Sequence, residues 1–212
     1  MTQRELARTL VQRHGATFAE QAGFTVADKP SPLWRLLVLS LLLSARIGSD
    51  IAVAAARELS KAGYRSPRTM AQASWQHRVD ALGRGHYRRY DERTSTMLGE
   101  TAEMVIERYH GDLRRLRAAA EQPDDVGRLL QEFKGIGPTG AAIFCREVQG
   151  AWTELSPYVD GIAAKGAKRL GLPPSPGRLA ALVPRRDLPR LVAACVRAAR
   201  DKSVVDDMQN AA

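Results

Sequence analysis

The segment Leu33–Arg46, LWRLLVLSLLLSAR, is apolar on nearly every face of the helix it would form. A helix of that kind has no solvent side, so other helices must enclose it; it cannot simply cover one face of a sheet. Its longest apolar run, Leu36 to Leu43, is interrupted by Ser40 and falls far short of the roughly 18 residues that a membrane span needs. The alternating β-branched runs that mark strands are absent from the sequence. An all-α globule centred on this segment is the expectation.

The remaining elements read as helices around it. Residues 1–28 carry Leu6, Leu10 and Phe18 on the apolar side of a short helix and a looser segment, which Pro30-Ser-Pro32 closes. Gly48-Ser-Asp50 can cap a helix over Ile51–Lys61 whose apolar positions are mostly alanine, and Gly63 stops it. Ser66-Pro67 opens a short helix to Ala73, and Trp75–Leu82 adds a further turn. Thr94–Tyr109 and Asp112–Ala120 follow. After the turn Pro173–Gly177 come helices at Leu179–Val183 and Leu188–Arg200, and the last residues, Asp201–Ala212, read as frayed.

The most specific stretch is Asp124–Asp160. Val126, Leu129, Leu130 and Phe133 recur at i, i+3, i+4 and i+7, one face of a helix whose positive N-terminal end suits Asp124 and Asp125. Gly135-Ile136-Gly137 breaks that helix, and Pro138 fits the first turn of a second one carrying Ala141, Ala142, Ile143, Phe144 and Val148. Gly135 to Gly140 also matches G-x-G-x-x-G, with Asp160 downstream, but that dinucleotide motif requires a strand before its first glycine and here the spacing is helical. A helix, a glycine turn and a helix present bare backbone N–H groups at a helix N-terminus, a surface that grips phosphate without reading bases. Asp160 by itself reads as the N-cap of a helix containing Ala163, Ala164 and Ala167.

A second basic feature lies upstream, in Gly83-Arg-Gly-His-Tyr-Arg-Arg-Tyr-Asp-Glu-Arg93. Its glycines would let backbone approach a ligand, Arg84, Arg88, Arg89 and Arg93 would contact phosphates, and Tyr87 or Tyr90 would stack. A solvated loop leading into a helix, with Tyr90 and Met97 in the core, accounts for the residues equally well. The net charge of +9 and pI near 10.1 favour a polyanionic partner. Only two cysteines, Cys145 and Cys195, are present, without C-x-x-C spacing, and the four histidines have no ligand spacing, so no metal site is indicated. That cysteine usage points to a cytoplasmic protein, and charged residues interrupt any apolar run that would mark a targeting segment at the N-terminus.

Phe133-Lys-Gly-Ile-Gly-Pro-Thr-Gly-Ala141, then Tyr158-Val-Asp160, Lys165, Arg169 and Leu170-Gly-Leu172, with Leu42-Leu-Ser-Ala-Arg46 upstream, resemble the helix-hairpin-helix DNA glycosylases of the endonuclease III superfamily. The likeness spans roughly residues 33–172. It implies an all-α, two-lobed fold: a helical barrel over 33–150 ending in the hairpin, and a second lobe of 1–32 plus 151–212 that carries Asp160. It further implies a monomeric base-excision repair enzyme acting on double-stranded DNA with a damaged or mismatched base, in the cytoplasm at the nucleoid. Asp160 would be the catalytic carboxylate; Lys134, Gly135, Ile136, Gly137, Thr139 and Gly140 would grip the backbone. Arg46 would enter the DNA, where the residues alone suggest a cation at a helix C-terminus. Arg84, Arg88 and Arg89 would border the lesion pocket, and Lys165 and Arg169 would add phosphate contacts.

Departures from that family refine the expectation. Members that cleave the strand carry a hairpin lysine where this chain has Thr139, and Lys134 lies five residues too early, so hydrolysis to an abasic site without lyase activity is expected. Cys195 is the only cysteine in the C-terminal region, where many members bind an iron–sulfur cluster through four, so no cofactor is expected beyond a monovalent cation on the hairpin carbonyls. Gly161-Ile162 replaces the usual Thr-His after the aspartate, and Gly140 replaces a common threonine. The alternatives are a non-catalytic binder of DNA structure that retains the hairpin, and a bifunctional glycosylase using another amine.

Overall fold

The computed structural model describes residues 1–211, and those residues are all-helical, with no strand among them. In chain order the helices are α1 (Gln3–His14), α2 (Phe18–Gln21), α3 (Pro30–Ser44), α4 (Ser49–Lys61), α5 (Pro67–Gln72), α6 (Trp75–Arg84) and α7 (Asp91–Tyr109). They continue as α8 (Arg114–Ala119), α9 (Asp125–Leu130), α10 (Pro138–Val148), α11 (Gly161–Arg169), α12 (Pro176–Ala180), α13 (Leu188–Arg200) and α14 (Lys202–Asn210). Short 3-10 turns occupy Thr153–Leu155 and Arg185–Asp187.

The chain divides into two compact units: a central one, Ala19–Cys145, and a terminal one made of Met1–Phe18 with Arg146–Ala212. The sequence reading drew these borders at 33 and 150. No described helix is long and apolar enough to cross a membrane.

The central unit is organised around α3, which is buried from Leu33 through Leu42 except at Arg35. Pro30 and Pro32 start this helix; the sequence reading had used them to end the preceding segment. A proline in the first turn loses no hydrogen bond, because the first amides of a helix have no internal acceptor. α4 packs on α3, with Ala52, Ala55 and Ala56 buried, and α6 and α7 continue the layer. Arg78, on α6, is buried and serves as a structural tie: its guanidinium donates to Met70 O (3.1 Å), Ala73 O (2.7 Å) and Ser95 O (3.0 Å), joining the end of α5 to α7.

The terminal unit is built on α13, against which α11, α1 and α14 pack. Leu10, Ala163, Ala167, Leu191, Val192 and Cys195 form part of its core. α11 approaches so closely that a Cβ on Gly166 would stand 1.7 Å from Cys195 O. Residues expected to be frayed instead form α14, capped by Asp201, with Val204 and Met208 buried; Ala212 lies outside the described residues. Arg13 and His14 anchor it from α1, at 3.0 and 2.8 Å from the two oxygens of Asp207. The hydrogen bond from His14, with Arg13 adding to it, holds the Asp207 carboxyl below the usual carboxylate range.

Candidate active site

The hairpin forms as the sequence indicates. α9 ends at Leu130, one turn earlier than its apolar pattern, yet Phe133 remains buried, with its ring centroid 6.1 Å from that of Tyr109. Gly135 has φ +89°, a conformation that L side chains rarely adopt, and a Cβ there would also lie 2.7 Å from Met97 Sδ. Ile136 plugs the turn into the core, whereas Gly137, Pro138 and Thr139 are exposed. The first amide of α10 bonded within the helix is Ala141 N–H, on Gly137 O at 3.0 Å, so the amides before it have no acceptor in the helix. A Cβ on Gly140 would sit 2.4 Å from Ser44 Oγ at the end of α3 and 3.3 Å from Ile136 Cγ2, so a larger residue there would need the Ser44 hydroxyl to turn away. Lys134 is exposed and pairs with Glu100 at 2.8 Å, a surface pair that a phosphate can displace.

The central unit brings three separately noted features to one cavity of about 400 Å³. Gly135 of the hairpin, Arg46 beyond the end of α3, and Tyr87, Tyr90 and Arg93 of the basic stretch all line it, with Met97 and Thr94. Arg46 is exposed and lies two residues past the last residue of α3. Within the basic stretch, the core tyrosine is Tyr87, fully buried, and not Tyr90, which is half-buried. Thr94 Oγ1 donates to the Tyr87 hydroxyl at 3.5 Å, and burial pushes the Tyr87 pKa up.

Gly85 does not open backbone to a ligand as expected; a Cβ there would meet Ala55 Cα at 2.4 Å, so the glycine serves the α4–α6 approach. Arg84 leans toward Glu58 at 3.5 Å. Arg88 and Arg89 are exposed, with the Arg89 guanidinium 5.2 Å from the Tyr90 ring centroid.

In the terminal unit, Asp160 caps α11: its Oδ1 accepts from Ala163 N at 3.0 Å. Its Oδ2 accepts from Arg146 Nη1 in the last turn of α10, and the two side chains are only 15% and 7% exposed. Sequence reasoning missed Arg146 altogether. The available signal was an Arg-Glu pair interrupting an apolar helix, since a charge on a buried face demands a partner. Gln149, 1% exposed, completes the arrangement by bonding both backbone groups of Tyr158, two residues before Asp160.

The two cations expected beside Asp160, Lys165 and Arg169, are both exposed on α11, and Arg169 also donates through Nη1 to Ala198 O (3.2 Å) and Ala199 O (2.8 Å), capping the C-terminus of α13. Arg169→Met is expected to lower stability by about 1–2 kcal/mol in chemical denaturation. Cys195, in the core of α13, has its thiol pKa raised by burial to about 12. Among the described residues no three His, Cys, Asp or Glu side chains gather to hold a metal ion.

No family model matches the sequence, and no curated protein matches it. Among solved structures, a trapped endonuclease III–DNA covalent intermediate, in an estranged-adenine complex, matches with a TM-score of 0.50 at 16% identity, over 93% of this chain and 85% of that one. At so low an identity the likeness is one of architecture, and it agrees with the all-helical elements and the hairpin described above. The chain has the helical fold of endonuclease III.

Proposed function

We propose that the protein is a DNA base-excision repair glycosylase that hydrolyses the N-glycosidic bond of a damaged or mismatched base in double-stranded DNA. The observation that carries this reading is the carboxylate of Asp160 at the N-cap of α11, oriented by Arg146, in a chain of endonuclease III fold that also bears an exposed hairpin. Breaking the N-glycosidic bond builds positive charge on the sugar, and one carboxylate near C1′ can stabilise that charge and help activate the attacking water. The base must first leave the stack.

The other assigned roles rest on the same reading. The exposed hairpin residues Lys134, Gly135, Gly137 and Thr139 grip phosphates, with Ile136 and Gly140 buried beneath them, and Arg46 enters the duplex. Arg84, Arg88, Arg89 and Lys165 add charge contacts. Arg169 is exposed and bonds Ala198 O and Ala199 O through Nη1 alone, so it adds a charge contact beside its structural role. No iron–sulfur cluster is assigned, since four thiolates are needed and the sequence has two cysteines, of which Cys195 is held as a core thiol.

Thr139 offers no amine at the position where strand-cleaving members use one, so the reaction proposed is monofunctional. Incubation with a lesion-bearing duplex should yield strand breaks only after alkali, and borohydride should trap no protein–DNA adduct. Breaks without alkali, or a trapped adduct, would establish the bifunctional alternative. A second reading, a non-catalytic binder of DNA structure, draws on one observation: both Asp160 oxygens already hold intramolecular hydrogen bonds.

A further inference from the structure

We propose that Arg146 and Gln149 are positioning residues for Asp160, an inference that rests on the glycosylase reading and deepens it. The two lie three residues apart, at the end of α10 and the residue following it, which turns them to one side. Gln149 accepts from Tyr158 N at 3.0 Å and donates to Tyr158 O at 3.1 Å and to Arg146 O at 3.0 Å. Both hydrogen-bonding faces of its amide are therefore engaged, and the backbone leading to Asp160 is fixed. Arg146 then holds Oδ2 while Ala163 N–H holds Oδ1, so the carboxylate cannot rotate without breaking one of them.

A helix cap alone needs only the Ala163 bond. Burying a guanidinium is expensive, and a well-packed apolar side chain would support a cap at least as well. What Arg146 adds is a fixed direction for the remaining lone pairs of Asp160. It also draws off part of the carboxylate's charge, so its benefit to the reaction is orientation, where an error of about 1 Å can cost on the order of 100-fold in rate.

The test is single-turnover base release, with duplex affinity and thermal unfolding measured in parallel, on a duplex that the parent protein processes. Arg146→Met should lower the rate roughly 100-fold with affinity within about threefold, and Arg146→Lys and Gln149→Met should each lower it roughly 10-fold. If Arg146→Met does not fold, the other two variants carry the test. Rates equal to the parent's, with Asp160→Asn inactive, would overturn the positioning role and leave the glycosylase reading intact. Affinity falling in step with rate would overturn it too, making Arg146 a DNA contact. A parent protein that releases no base from any duplex would overturn both.

Discussion

Asp160→Asn is expected to slow base release by roughly a thousand-fold or more, the scale of losing an electrostatic and acid–base catalyst together. Asparagine caps helices about as well as aspartate. Here, however, two donors converge on two oxygens, Arg146 on Oδ2 and Ala163 N–H on Oδ1, and an amide offers one. One donor loses its acceptor, so the variant should also lose about 1–3 kcal/mol of stability. Rates therefore have to be compared below the unfolding temperature of the variant. A folded Asp160→Asn protein that releases base at the parent rate would remove Asp160 from the mechanism.

Gly166→Ala is expected to have the largest effect on stability. The added Cβ would lie 1.7 Å from Cys195 O and 3.0 Å from Ala199 N, so the obstruction is the backbone of α13 and no side chain can swing away. α11 and α13 would have to separate, opening the core shared by Ala163, Ala167, Ala194 and Cys195. A loss of at least about 3 kcal/mol follows, at the upper end of overpacking effects. In a chain of 212 residues that lowers the melting temperature by roughly 6–12 °C. Gly177→Ala in α12, where nothing lies within 4 Å, should be neutral or stabilising by up to about 1 kcal/mol. Equal melting curves for the two variants would contradict the packing described for Gly166.

The parts of the fold legible in the sequence are those set by local pattern. The enclosure of α3 follows from apolarity on all faces, and the hairpin follows from a helical period broken by Gly135 and resumed at Pro138. The features that escaped depend on contacts distant in sequence. α14 is held by Asp207 against residues 193 and 194 positions away, which no window at the chain end can detect. Arg169 stands beside the motif in sequence, but its acceptors on α13 lie 29 and 30 residues on. Tyr87 takes the core position that the loop reading gave to Tyr90; the loop turns at His86 with φ 62°, and a single left-handed residue resets which side chains face inward. The capping of α11 by Asp160 was legible in the residues around it, but its pairing with Arg146 was not, because the two meet only after the chain reverses beyond α10.

The most direct measurement of the glycosylase proposal is release of free base, followed by mass spectrometry, from duplexes containing uracil, thymine opposite guanine, oxidised pyrimidines, 8-oxoguanine pairs or alkylated purines. The proposal predicts that the parent protein liberates the base from at least one of these duplexes, leaving the strand intact until alkali, and that Asp160→Asn does not. Salt-sensitive binding to all of them with no base released from any, or equal release by Asp160→Asn, would contradict it.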